Sequence, residues 1–357
     1  MKLMPYKQTE NFSDLNNFLV IAIFSLLYVN TFSDSQNLIE LAISKLKDPS
    51  FLPFDLVINS YENNPLTELP ISFFYLYSLL LPFDENFLFL NFSIKTLTVY
   101  GIYLIYRYFI TNKLICLIAS LIHLSPSIKI LPYIADWYVV SPALHTNSLF
   151  FLFFVYFIWG LIYRKYYLVF VLQVFALASH PPLGLFLAFP VMILFYACFY
   201  IKDKKLLLNQ LENRFRLAFP MMVIFINLLY LVKIILLNNT ILDPKELTDI
   251  FSIHAPHHYL VSSISLLKLA WPYFFIVCSY LALIRIESDT VLRLFLLILV
   301  PLILLSVPLH FIFSEIFPST YIYSLHLMRS ASVLSALFLA PYFLMFFSSK
   351  AWRPSDG

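Results

Sequence analysis

Long apolar runs, broken by short polar or Pro- and Asn-bearing clusters, recur along the whole chain. A helix needs about 20 predominantly apolar residues to cross the hydrocarbon core of a bilayer. On that criterion the pattern predicts ten spans, near 17–33, 88–109, 114–131, 142–163, 166–180, 184–201, 217–237, 267–285, 290–313 and 323–347. The expected fold class is all-α: a polytopic transmembrane helix bundle forming a single integral membrane domain over 1–357. Residues 34–87 are expected to form a long extracytoplasmic loop and 348–357 a polar cytoplasmic tail. The stretch before the first run carries Glu10 and Asp14 and no small-residue cleavage site, so that run is expected to be a retained span. A short Pro-bracketed run, "LPISFFYLYSLLLP" at 69–82, reads either as an eleventh span or as a helix lying at the membrane interface.

Charge decides between these readings. With ten spans, one side receives Lys2, Lys7, Arg107, Lys113, Arg164, Lys165, Lys202, Lys204, Lys205, Arg214, Arg216, Arg285, Arg293, Lys350 and Arg353. The other side, or span interiors leaning to it, keeps only Lys45, Lys47, Lys95, Lys129, Lys233, Lys245, Lys268 and Arg329. The positive-inside bias then places both termini in the cytoplasm. Counting 69–82 as a span would put the stretch "KDKK…NRFR" outside, so 69–82 is assigned to the interface, as is a further helix near 36–46.

Composition supports the membrane reading and excludes several functions. The chain is 61% hydrophobic and 12% charged, about half the charge of a soluble domain, and its mean hydropathy is +0.83. A net charge of +3 gives no reason to expect a nucleic-acid partner. The four glycines, Gly101, Gly160, Gly184 and Gly357, are too scattered to form a phosphate-cradling loop, so no nucleotide-binding motif is present. Cys116, Cys198 and Cys278 stand alone in apolar runs and read as small core residues.

The same topology puts the remaining polar chemistry on the extracytoplasmic face. Asp34, Asp48, Asp55, Asp136 and Glu315 fall there, with all eight histidines, counting those in the outer halves of spans. "SIHAPHHYLVSS" gathers His254, His257 and His258 within five positions. Three readings of that cluster stand: ligation of a divalent cation with a carboxylate, hydrogen bonding to a substrate phosphate, or a structural role at the interface. The metal candidates are His257, His258 and Asp55, and the three histidines are expected to converge with Asp55 or Asp48 of the first loop. "ASHPPLG" (178–184) predicts a tight turn that sets His180 at the membrane surface. "IADWYVVSP" (134–142) offers Asp136 beside Trp137 and Tyr138, either in a site or in an interfacial aromatic belt. Arg329 lies about two turns inside an apolar run. A buried guanidinium costs a few kcal/mol or more in hydrocarbon, so it is a functional candidate, with snorkelling to the headgroups as the alternative.

An acid directly after the first span, a long first outer loop with interfacial helices, and polar loops confined to one face form a recognisable set. In these features the chain resembles the GT-C superfamily, polytopic membrane glycosyltransferases that use lipid-phosphate-linked sugars. The "SHPPLG" and "APHHY" stretches are most similar to those of uncharacterised bacterial integral membrane proteins of that architecture. The resemblance implies a transferase of the bacterial inner or plasma membrane, with membrane lipids and a polyprenyl-phosphate-linked sugar donor as partners. It implies a first-loop acid as catalytic base or metal ligand, at Asp34 or its rivals Asp48 and Asp55. It also implies a basic grip on the lipid phosphate at Arg329, with His180, His254, His257, His258 and Asp136 as further substrate contacts. A divalent metal ion is the cofactor such a site would take. The chain departs from the pattern in having no Asp-x-Asp or Asp-Glu pair directly after the first span and no soluble outer domain. The alternatives are a transporter or flippase for a lipid-linked or anionic solute, and a non-catalytic subunit of a cell-envelope polysaccharide assembly.

Overall fold

The computed structural model describes residues 11–28, 41, 44–45, 47, 74–76, 78–79, 83–124, 131, 139–140, 146–211, 214–237, 249, 260–285, 289–318 and 327–347. Among them the secondary structure is helical, with no strand. The elements are α1 (Asn11–Leu27), α2 (Phe83–Phe109), α3 (Lys113–Leu121), α4 (Thr146–Ile162), α5 (Tyr166–Ser179), α6 (Phe189–Leu211), α7 (Arg214–Leu237), α8 (Leu266–Arg285), α9 (Thr290–Phe311), α10 (Leu327–Leu334) and α11 (Ala340–Phe346). A π-helical segment, Gly184–Ala188, leads into α6; another, Ile312–Ile316, extends α9; a third, Ser335–Leu339, joins α10 to α11.

Five helical stretches are long and apolar enough to cross a membrane: Leu88–Phe109, Pro181–Lys204, Lys268–Arg285, Thr290–Ile316 and Leu327–Phe346. The other expected spans coincide with shorter apolar helices, Asp14–Leu27, Lys113–Leu124, Asn147–Ile162, Tyr166–Ser179 and Pro220–Val232. One shortening has a clear local cause. Proline disfavours helical backbone at the residue before it, and His180, which precedes Pro181, is extended at φ −154° and ψ 88°.

Helix α4 packs between α2 and α5, α6 packs on α9, α9 on α10, and α8 on α11. Their shared core is rich in aromatic side chains: Tyr103, Tyr106, Phe150, Phe154, Phe199, Phe295 and Tyr342 are fully buried, and Phe275 stacks on Phe343 at 4.2 Å. Leu79, Phe225, Leu229, Leu266 and Leu302 are among the large apolar residues left exposed on the flanks, as helices bathed in hydrocarbon require. In the 69–82 run, residues 74–76 and 78–79 are helical, and Phe74 is buried against Ile94 of α2 and Leu149 of α4.

The π segment before α11 shows how backbone polarity is handled in so apolar a core. Carbonyls released from regular helical bonding must find other donors where no water reaches. Tyr106 Oη donates to the Ala336 carbonyl at 2.8 Å, and Ser279 Oγ lies 3.1 Å from that of Leu339. His123 belongs to this buried core: it is 1% exposed, with Nε2 2.8 Å from Tyr106 Oη. Because the Tyr106 proton goes to Ala336, the His123 Nε2–H is the donor in that contact.

At one end of the bundle the basic residues gather. Helix α4 closes in a Schellman arrangement: Lys165 N–H donates to the Gly160 carbonyl at 2.8 Å and Arg164 N–H to that of Leu161 at 3.1 Å. Arg164 occupies the left-handed position (φ 57°) that this motif usually gives to glycine. Its Nη2 donates to Asp289 Oδ2 at 2.6 Å, and its guanidinium lies 5.0 Å from the Phe199 ring centre. The other Asp289 oxygen caps α9 by accepting from Val291 and Leu292 N–H. Arg107 and Arg293 nearby donate to backbone carbonyls at helix ends. Arg164 and Asp289, which stand near basic residues that charge counting assigned to one side, therefore meet at one end of the fold.

Candidate functional site

At the opposite end, the predicted turn at 180–184 is built by three residue choices. Pro181 and Pro182 start a helical turn for which they need no N–H partners. His180 caps that turn, its Nδ1 accepting from Leu183 N–H at 3.3 Å. Gly184 permits the reversal, since a Cβ there would lie 2.3 Å from Leu177 Cα. With Nδ1 used as acceptor, the neutral ring carries its proton on Nε2. The ring stands edge-on to Phe150 of α4, with centres 6.1 Å apart.

Arg329 enters from the first turn of α10. It is 7% exposed, and its guanidinium lies within electrostatic reach of His180. Two residues singled out from sequence, distant along the chain, are thus close enough to influence each other electrostatically. A buried guanidinium beside an imidazole N–H can grip an anionic oxygen: Arg supplies charge and a planar fork, and His supplies one directed donor.

A second polar locus lies at the same level of the bundle, on the α2 side of α4. Asn91, Lys95 and Thr98 line a recess with Ile94, Val139, Val140 and Ser148. Lys95 is 3% exposed and its Nζ donates to the Tyr28 carbonyl at the end of α1, at 2.7 Å. Ser148 is in the first turn of α4 and Phe150 is two residues on, about 3 Å along the helix axis. The Lys95 and His180 sites therefore flank the start of α4. In the sequence Lys95 counts only among the few basic residues of the outer side or span interiors. The spacing of Asn91, Lys95 and Thr98, at i, i+4 and i+7, was the available signal, because it sets one polar stripe on an otherwise apolar helix.

The other polar contacts here are structural. Glu315 Oε1 accepts from Ser262 N–H at 3.0 Å, tying the short turn Val261–Ser263 to the end of α9. His310, 2% exposed, is buried at the end of that helix. Across the bundle Gln173 of α5 and Asn227 of α7 exchange two hydrogen bonds, at 2.8 and 3.0 Å, with both residues fully buried.

Asp34, Asp48, Asp55, Asp136, His254, His257 and His258 lie outside the described residues, and with them the expected convergence of the histidine cluster on the first-loop acids. Among the described residues no group of three or more His, Cys, Asp and Glu side chains is placed to hold a metal ion. No family model, no curated protein and no solved structure matches the chain.

Proposed function

We propose that the chain is a multi-pass protein of the cell membrane with ten spans and both termini in the cytoplasm, and that it acts at the extracytoplasmic face. Its substrate in this reading is a lipid carrying an anionic phosphate head, and its activity is that of a GT-C-like glycosyltransferase using a lipid-phosphate-linked sugar. The observation that supports the reading is the buried Arg329 beside His180, at the end of the bundle opposite the basic loops. Its guanidinium brings a permanent charge and a planar fork of donors, which suit the oxygens of a phosphate.

In the proposed reaction Arg329 and the His180 Nε2–H hold the phosphate of the donor. They neutralise the charge that builds on it as the sugar–phosphate bond breaks. An acid of the first loop, Asp34 with Asp48 and Asp55 as rivals, takes the proton from the acceptor hydroxyl. The polyprenyl chain stays in the lipid alongside the apolar helices.

The test is single substitution of Asp34→Asn, Asp48→Asn, Asp55→Asn, His180→Ala and Arg329→Ala in the native host, followed by analysis of surface glycans. Loss of one glycan in the Arg329 variant and in at least one aspartate variant supports the transferase. Unaltered glycans in all five, with each variant present in the membrane at normal level, rejects it.

A further inference from the structure

We propose that the recess between α2 and α4 is an internal hydration site. It holds one water molecule, which takes the Asn91 amide proton and bridges α2 to the first turn of α4 at Ser148. This site is separate from the Arg329–His180 pair and does not depend on the transferase reading.

The inference begins with Asn91. The residue is 2% exposed, and its Nδ2 has no hydrogen-bond partner among the described residues. Buried amides in native folds almost always find an acceptor, so this donor signals a group that belongs there. The walls of the recess also present acceptors. They are Asn91 Oδ1, Ser148 Oγ across the recess, and Thr98 Oγ1, whose own proton goes to the Ile94 carbonyl at 2.7 Å. A hydroxyl oxygen has two lone pairs, so Ser148 can accept from the recess whatever else it touches.

Size and chemistry then narrow the ligand. The space admits about one water-sized group, which excludes a phosphate or a sugar. A donor on one wall and acceptors on the others call for an occupant that does both. A halide only accepts. A metal cation would meet the Lys95 ammonium in the same recess. Water accepts from Asn91 and returns its protons to the wall oxygens, and internal waters of this kind bridge almost as well as direct hydrogen bonds. The surroundings give such a water a further use. Lys95 is buried with its Nζ donating to the Tyr28 carbonyl at 2.7 Å, in a region where Phe74 is fully buried against Ile94 and Leu149. A water in the recess sets a polar oxygen near that charge, which apolar neighbours cannot do. The bridge ends two residues before Phe150, the α4 ring that meets His180.

The test uses the full chain purified in detergent and exposed to a brief X-ray pulse in water labelled with oxygen-18. Radicals made from an internal water label the side chains beside it. Val139 and Val140, buried at the recess, are expected to take up several-fold more label than Val155 and Val300, which are buried away from it. Asn91→Leu is expected to abolish that uptake, and Gln173→Leu, across the bundle, to leave it. A crystal structure that resolves waters should show one oxygen within about 3 Å of both Asn91 Nδ2 and Ser148 Oγ, which decides the matter should Asn91→Leu fail to fold. Uptake no greater than at Val155, uptake that survives in folded Asn91→Leu, or a recess filled by an ion or a lipid atom would each overturn the proposal.

Discussion

Arg329 and His180 share one electrostatic neighbourhood, although one comes from the first turn of α10 and the other from the turn between α5 and α6. Their proximity yields the most direct functional prediction. Removing one partner of a buried charged contact with a ligand costs about 2–5 kcal/mol, and each 1.4 kcal/mol is tenfold in affinity. Arg329→Ala should therefore weaken binding of a polyprenyl phosphate, measured in nanodiscs, by at least about tenfold. Arg329→Lys keeps the charge and loses the planar fork, so an intermediate loss is expected. Equal affinity in wild type and Arg329→Ala would show that the arginine serves only the fold.

Gly184 should be the least replaceable of the three described glycines. A Cβ at Gly184 would press on Leu177 backbone at 2.3 Å, whereas at Gly101 and Gly160 the nearest atoms are side-chain methyls of Val155 and Val169. Side chains can rotate away and backbone cannot. Gly184→Ala is expected to cost about 1–3 kcal/mol, in the range of overpacked cores, and to lower Tm more than Gly101→Ala or Gly160→Ala. A thermal melt in detergent that ranks them otherwise would contradict the close approach of α5 to the start of α6.

The parts of the fold legible in the sequence were those written in local chemistry. Pro181, Pro182 and Gly184 announce a turn wherever they stand, and a lone arginine in an apolar run announces itself. Arg164 also meets Asp289, a contact consistent with two neighbouring helix ends on one side of the bundle. What the sequence withheld is which helix lies beside which. A helix that is apolar on every face carries no stripe pointing to its partner. The approach of Arg329 to His180, and of Asn227 to Gln173, therefore had to come from the fold. The contact of His123 with Tyr106 had to come from the fold for the same reason: the partner is on another helix, and nothing local distinguishes a core imidazole from an exposed one.

Gln173 and Asn227 should behave as a unit. Each amide satisfies the other, and Asn227 Nδ2 also lies 2.8 Å from the Val223 carbonyl. Gln173→Leu alone strands the Asn227 oxygen in a dry core, at about 1–3 kcal/mol. The double change Gln173→Leu with Asn227→Leu removes both needs together and should cost less than the sum of the single changes. A double-mutant cycle by denaturant or thermal unfolding checks this, and additive costs would rule out the pairing.

Arg164 provides the last prediction, because two opposing effects sit on one residue. As the left-handed residue after α4 it bears a conformational cost of about 1–2 kcal/mol that glycine would not bear. Its side chain returns something through Asp289 and the Phe199 face, but both ion-pair partners are more than a quarter exposed, which holds the pair to about 1 kcal/mol at most. Arg164→Ala loses the contacts and keeps the strain, whereas Arg164→Gly loses the contacts and relieves it. Arg164→Gly should thus be close to wild type in Tm, and Arg164→Ala clearly below it. At Asp289 the order follows from the cap: Asp289→Asn keeps an acceptor for the Val291 and Leu292 N–H groups, so Asp289→Ala should lose about 0.5–2 kcal/mol more. If Arg164→Gly instead falls as far as Arg164→Ala, the contacts at this end of the bundle outweigh the strain, and the clasp between α4 and α9 is stronger than its exposure implies.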